Sequence, residues 1–278
     1  MAGEDVSPNE TPLRTSHIIH EHDSSINAFA HALRLAVAFQ GTIEIVDVRP
    51  HSDDVPDFSV RSMYEKWGWL PESSSRDAVS GLGISVKKLR ASNNYKKVIK
   101  KRFTKHDNDL LVIGLNPRRT FGRLFGSDLT SFLVNTFRQT TLYIPEDCRG
   151  FVDFDTGDIR LDTILLPTAD FPFAFDGLMF LSKTLPLLKS SPQIIGIHDG
   201  RSFPEVTIPN NLMPYWQEET YSENIVSLIN RQTEARKADL IVMTTNGRDT
   251  LPQKITGSIT EQVLKHVTCP VLAVAVPQ

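Results

Sequence analysis

Residues 239–274 read DLIVMTTNGRDTLPQKITGSITEQVLKHVTCPVLAV, and this stretch decides the architecture. It opens on an unbroken apolar run, Leu240 to Met243. Such a run is too short for a helix and lacks the alternation of a half-exposed strand, so it reads as a strand covered on both faces of a parallel sheet. A loop through Asn246-Gly247-Arg248 leads to Gly257-Ser258. Ser258, followed three residues later by Glu261, forms a capping box that specifies a helix start worth on the order of 1 kcal/mol. A second short apolar run, Val271 to Val274, closes the unit.

The same unit occurs earlier in the chain. Asp109-Leu-Leu-Val-Ile-Gly114 parallels Asp239-Leu-Ile-Val-Met-Thr244, Gly126-Ser127 parallels Gly257-Ser258, and Thr141 to Ile144 parallels Val271 to Val274. Further upstream, Ile18-Ile19 leading to Asp23 corresponds to Ile164-Leu-Leu-Pro-Thr-Ala-Asp170. An internal repeat in preserved order means a duplicated supersecondary unit. Each copy alternates strand and helix: a stripe over Ile26, Phe29, Ala30, Leu33 and Val37, a strand from Ile43 to Val48, another over Ile84 to Leu89, and a helix from Tyr95 to Phe103. The second copy offers Ile194 to Ile197 and a helix around Ile225, Leu228 and Ile229. Alternating strands and helices predict an α/β fold of two tandem doubly wound, Rossmann-like domains, each a parallel five-stranded sheet with helices on both faces. The first copy is longer, and its extra residues are expected to hold a helix over Val60 to Trp67. The domain plan is a disordered tail over 1–14, a first domain over 15–146, a linker over 147–160 and a second domain over 161–278. Glycines and aspartates in the linker leave a short hairpin or an extended segment open.

Composition fits this plan. A chain of 278 residues is long enough for two cores. Lys and Arg total 30 against 33 Asp and Glu, a net charge of −3 that gives no pull toward nucleic acid or anionic membrane. The two cysteines, Cys148 and Cys269, stand in no ligand spacing and suit a reducing compartment. No apolar run approaches a membrane span. A cytoplasmic protein with no nucleic-acid or membrane partner is expected.

In a doubly wound sheet, ligands bind beyond the carboxyl ends of the strands, and a glycine-preceded helix start suits an anion such as phosphate. The spacing Thr244-x2-Gly247-x9-Gly257-Ser258 resembles the universal stress protein motif G-x2-G-x9-G-[S/T], departing at the first glycine. Asp239 to Met243, Asn246-Gly247-Arg248, Cys269-Pro270-Val271-Leu272, and Leu166-Pro-Thr-Ala-Asp170 with one residue inserted also look like the family pattern. The chain is identified as a tandem member of that family, over roughly residues 16 to 277.

The resemblance implies a stress-response module that binds ATP or a related adenine nucleotide, with or without magnesium, mainly in the second domain. It implies no defined catalytic residues and at most weak ATP hydrolysis. Carried over by motif, the binding residues are Pro167, Thr168, Asp170, Ile197, Met243, Thr244, Gly247, Arg248, Gly257, Ser258, Ile259 and Thr260. The first domain is degenerate: Gly114 persists, but Pro117 replaces the second glycine, Asp128 follows Gly126-Ser127, and Arg118, Arg119 and Arg123 make the loop basic. The alternative is a nucleotide-free signalling or scaffold protein of the same fold. Because single-domain relatives pair through their last strands, the resemblance also implies an intramolecular pseudo-dimer through Leu142 to Ile144 and Val271 to Val274, with a homodimer of that unit as a further option.

Other candidates carry less. His20 and His22 share one face of a strand end, but no second cluster completes a metal site. Lys96, Lys97, Lys100, Lys101, Arg102 and Lys105 crowd a helix as a solvated surface. Trp67, Trp69 and Trp216 have no counterparts in the other copy and are expected to pack variable segments.

Overall fold

The fold is taken from a computed structural model, which describes residues 14–19, 26–48, 59–90, 95–103, 110–115, 139–168, 174–245 and 259–276. The first half contains β1 (Thr15–Ile19), α1 (Ile26–Ala38), β2 (Thr42–Asp47), α2 (Val60–Lys66), a 3-10 segment (Arg76–Leu82), β3 (Ser85–Arg90), α3 (Tyr95–Phe103), β4 (Leu110–Leu115) and β5 (Thr141–Pro145). The second contains β6 (Thr163–Pro167), α4 (Phe175–Leu188), β7 (Gln193–His198), a 3-10 turn (Met213–Tyr215), β8 (Trp216–Thr220), α5 (Ile225–Arg236), β9 (Leu240–Thr245), α6 (Ile259–Leu264) and β10 (Val271–Ala275).

All ten strands form one sheet in the order β3-β2-β1-β4-β5-β10-β9-β6-β7-β8. Within each half every pairing is parallel. At the centre β5 and β10 run antiparallel, with Tyr143 opposite Val271 and Leu142 opposite Leu272. The expectation of two five-stranded sheets is therefore corrected to one continuous ten-stranded sheet. The physical reason is that the last strand of each half would otherwise present an open row of amides and carbonyls, and each satisfies the other.

The continuous apolar runs are explained by burial on both faces. Alternate residues serve different cores: Leu240 and Val242 of β9 join α1 and α4 on one face, together with Leu142 and Leu272 across the seam. Ile241 and Met243 join α3, α5 and α6 on the other. The first core crosses the boundary between the halves without interruption, and so does the small apolar cavity of about 30 Å³ between α1 and α4, floored by Leu142 and Leu272.

Of the two forms open for the joining segment, the structure has the hairpin. The joining segment is a packed hairpin: Val152 bridges Ile159, and Asp153 N donates to Asp158 O at 2.8 Å. His31, wholly buried on α1, clamps it. Its Nδ1 donates to the Asn27 carbonyl at 2.7 Å, and its Nε2 accepts from the amides of Phe151 at 3.0 Å and Val152 at 3.2 Å. Gly150 adopts φ +72, and a β-carbon there would lie 2.2 Å from His31 Cε1, so the clamp requires glycine at that point. Burial pushes the His31 imidazole down to about 4, which keeps it neutral and free to accept.

Trp216 packs edge-to-face on Phe203 of the connection between β7 and β8, with ring centroids 6.0 Å apart. It is the first residue of β8, a regular sheet strand. The sequence Trp-Gln-Glu-Glu-Thr lacks an apolar pattern because β8 is the sheet edge, and its Glu219 makes a two-toothed bond to Arg236 of α5 at 2.6 and 2.8 Å. Trp67 and Trp69 do pack the longer middle of the first half. Both contact Tyr64, and Trp67 Nε1 donates to the Phe154 carbonyl of the hairpin at 3.0 Å.

α4 carries Pro186 inside the helix. Proline has no N–H, which frees the carbonyl four residues earlier. That carbonyl, on Ser182, accepts from Asn211 Nδ2 at 2.9 Å, while Ser182 Oγ donates to Asn211 Oδ1 at 2.7 Å. The helix defect anchors the long connection between β7 and β8.

Candidate functional site

The second half reverses its strand order around β6: β7 follows on one side and β9 lies on the other. Such a switch point is where doubly wound sheets open a crevice. Here the opening is visible in the register. β6 pairs with β9 only through Ile164–Leu240 and Leu165–Ile241. It stays paired with β7 through Leu166–Gly196 and Pro167–Ile197. β9 stays paired with β10 through Val274–Thr244 and Ala275–Thr245. The carboxyl ends of β6 and β9 thus part while each keeps its outer neighbour.

The residues expected to bind ligand divide into four groups. Pro167 and Thr244 are half-buried at the strand ends flanking this parting, with Thr168 directly after Pro167. Thr168, Ile197 and Met243 are buried and turned inward. Thr168 N donates to the Ile197 carbonyl at 2.8 Å and its Oγ1 to the Leu166 carbonyl at 3.1 Å. Ile197 and Met243 fill the core shared with α5 and α6. Ile259 and Thr260 begin α6, Ile259 being 42% exposed. Asp170, Gly247, Arg248, Gly257 and Ser258 lie outside the described residues, as do Asp23 and the first-half loop residues Pro117, Arg118, Arg119, Arg123, Gly126, Ser127 and Asp128. Glu261, read as half of a capping box, is buried at the first turn of α6 and adds to the upward push that burial exerts on the Tyr143 hydroxyl across the seam.

Two residues escaped the sequence reading. His198 ends β7; its Nδ1 donates to the Thr168 carbonyl at 2.7 Å, tying the ends of β6 and β7 together. A lone histidine at a strand end gives no periodic signal. Gly177, in the first turn of α4, covers the parting from one side: a β-carbon there would lie 3.2 Å from Thr244 Oγ1, 3.2 Å from Val242 Cγ1 and 3.9 Å from Leu166 Cδ1.

The remaining candidates are structural. His17 is buried on β1, where its Nδ1 bonds the Val112 carbonyl at 3.1 Å; His20 and His22 lie outside the described residues. Among the described residues no cluster of three or more His, Cys, Asp or Glu is arranged to hold a metal, and no helix is long and apolar enough to cross a membrane. Lys96, Lys97, Lys100 and Lys101 are exposed on α3, whose Ile99 is buried. Asp239, repeated as Asp109, caps a strand: its Oδ2 accepts from Asp162 N at 2.8 Å and Thr163 N at 2.9 Å.

Residues 216–275, which run from β8 to β10 and contain the β9 side of the crevice, match the universal stress protein family. Part of the chain is also 49% identical over 45 residues to a curated universal stress protein of Methanocaldococcus jannaschii. That alignment takes in 16% of the present chain and 26% of the relative, so the chain spans about a quarter of the length of the curated relative it matches. Solved structures extend the likeness in fold over almost the whole chain. A universal stress protein from Archaeoglobus fulgidus superposes with a TM-score of 0.58 at 16% identity, covering 93% of this chain and 95% of the other. A putative universal stress protein from Pseudomonas aeruginosa gives 0.57 at 13% identity, covering 94% and 92%.

Proposed function

We propose that this protein is a universal stress protein, a cytoplasmic stress-response module that binds ATP or a related adenine nucleotide in the crevice between the ends of β6 and β9. The observation that supports the reading is the parting of those two strands at the switch point, on the half whose sequence matches the family. The glycine loop following β9 would take the phosphates on backbone amides, with magnesium as counter-ion, and the end of β7 would border the base. Catalytic residues are not part of this reading, and the two halves act as a pseudo-dimer joined through β5 and β10.

The test is thermal unfolding of the full chain with and without ATP and magnesium. A ligand that binds only the folded form at a hundred times its Kd stabilises by about 2.7 kcal/mol. For a chain of this size that corresponds to a rise in Tm of roughly 5 °C or more. An unchanged Tm at millimolar ATP would instead favour the second reading, a nucleotide-free signalling scaffold. That reading draws on Thr168 and Ile197, whose polar groups are satisfied within the protein.

A further inference from the structure

We infer that the two outer edges of the sheet are complementary docking surfaces through which copies of this chain join, the β3 edge of one copy against the β8 edge of the next. The ten-stranded sheet ends on β3 at one side and on β8 at the other, so each of these strands has a sheet neighbour on one flank only. An open row of backbone amides and carbonyls is a template for a further strand. The two edges differ in charge. β3 reads Ser-Val-Lys-Lys-Leu-Arg, with Lys87, Lys88 and Arg90 exposed. α3, which follows it, adds exposed Lys96, Lys97, Lys100 and Lys101 at the same end. β8 reads Trp-Gln-Glu-Glu-Thr, with Glu218 exposed and Glu219 half-buried. Among the described residues Glu218 makes no ion pair; its carboxylate accepts from Trp216 Nε1 at 2.9 Å.

Direction and face select the pairing. β5 and β10 run antiparallel while every other pair is parallel, so β3 and β8 point in opposite directions. A second copy placed alongside, continuing the sheet, therefore meets the first as an antiparallel strand pair. In the register that sets Lys88 opposite Glu218, Lys87 stands opposite Glu219 and Arg90 opposite Trp216. Residues opposed across a strand pair share a face of the sheet, and these do. Val86 and Trp216 pack against the core beneath α1 and α4, which puts Lys88, Arg90 and Glu218 on that face by alternation. Leu89 and Tyr221 pack against the other core, which puts Lys87 and Glu219 on the opposite face. The symmetric alternatives fail on charge: two β3 edges set lysines against lysines and two β8 edges set glutamates against glutamates, which destabilises a strand pair. A contact between β3 and β8 is heterologous and leaves one edge of each kind open, so it grows head to tail. One strand pair makes a small interface, hence a weak association, and its charges make it sensitive to salt.

Sedimentation velocity of the full chain without nucleotide, over rising protein concentration at about 0.1 M and about 1 M salt, tests this, because the screening length falls from about 10 Å to about 3 Å between them. Wild type is expected to grow from one copy into progressively longer species at the lower salt and to return to one copy at the higher. Lys88→Glu and Glu218→Lys alter exposed side chains, and a melting temperature matching wild type checks that each is folded. Each is expected to lower the association constant about five- to tenfold, as an attractive cross-strand pair becomes a repulsive one. Lys88→Glu/Glu218→Lys restores opposed charges with the signs exchanged and is expected to return the constant to within about twofold of wild type. Wild type that stays as one copy throughout, stops at a closed dimer, or assembles equally at both salts overturns the inference. So do single variants that assemble as wild type does, and a doubly changed chain that fails to recover what the single changes lose.

Discussion

Acidification should release the hairpin that joins the halves, and His31 sets the pH at which this happens. Its folded value of about 4 lies below the ordinary 6.5 because full burial disfavours the imidazolium. Protonation would also destroy the Nε2 lone pair that accepts from Phe151 and Val152. A histidine depressed in the folded state contributes its full stability above pH 6.5 and loses it as pH falls from there toward 4. At about 1.4 kcal/mol per unit, the loss approaches 3 kcal/mol below pH 4 and is about 2 kcal/mol at pH 5. Asp153, whose carboxyl is held below its ordinary range mainly by the Asp155 amide, titrates below this window. Urea unfolding at pH 7, 6 and 5 of wild type and His31→Gln measures the difference, since the glutamine cannot titrate. Trp67, bonded to Phe154 of the hairpin, supplies a fluorescence reporter near the event. Wild type should lose about 2 kcal/mol more than His31→Gln between pH 7 and pH 5. Parallel pH profiles for the two proteins would refute the clamp.

Further outcomes follow from single contacts. Asp239→Ala should destabilise by about 1–3 kcal/mol in urea unfolding, because the carboxylate satisfies two amides at the start of β6. Asn211→Ala should cost about 0.5–1.5 kcal/mol by the same measurement, since it removes the partner of the carbonyl freed by Pro186, and Asn211→Ala in a Pro186→Ala background should cost less, because the restored helix amide takes over. Burial pushes the Cys148 thiol up to about 12 and raises Cys269 as well, so a disulfide reagent at pH 7 should label neither in the native protein and both after unfolding.

The legible parts of the fold are those where a local pattern has one structural cause. The apolar runs beginning at Leu110 and Leu240 announced strands buried on both faces, and β4 (Leu110–Leu115) and β9 (Leu240–Thr245) are both interior strands of the sheet. The helix expected over Val60 to Trp67 is α2, ending at Lys66 with Trp67 as its cap. The illegible parts depend on distant partners. Nothing near His31 announces that its ring bonds amides 120 and 121 residues away. β8 hides because an edge strand has no buried face pattern, only a glutamate held by Arg236. At the candidate site the strand ends were legible from the repeat, whereas Gly177 was not: its significance lies in a missing atom opposite Thr244.

The antiparallel join of β5 and β10 has a directional result. Strands of the first half advance toward one rim of the molecule and those of the second toward the other. Whatever settles at the mouth of one half therefore sits on the far side from the mouth of the other. News of its arrival cannot pass by touch; among the described residues the common floor of leucines beneath α1 and α4 is a mechanical shaft linking two outlets that look away from each other.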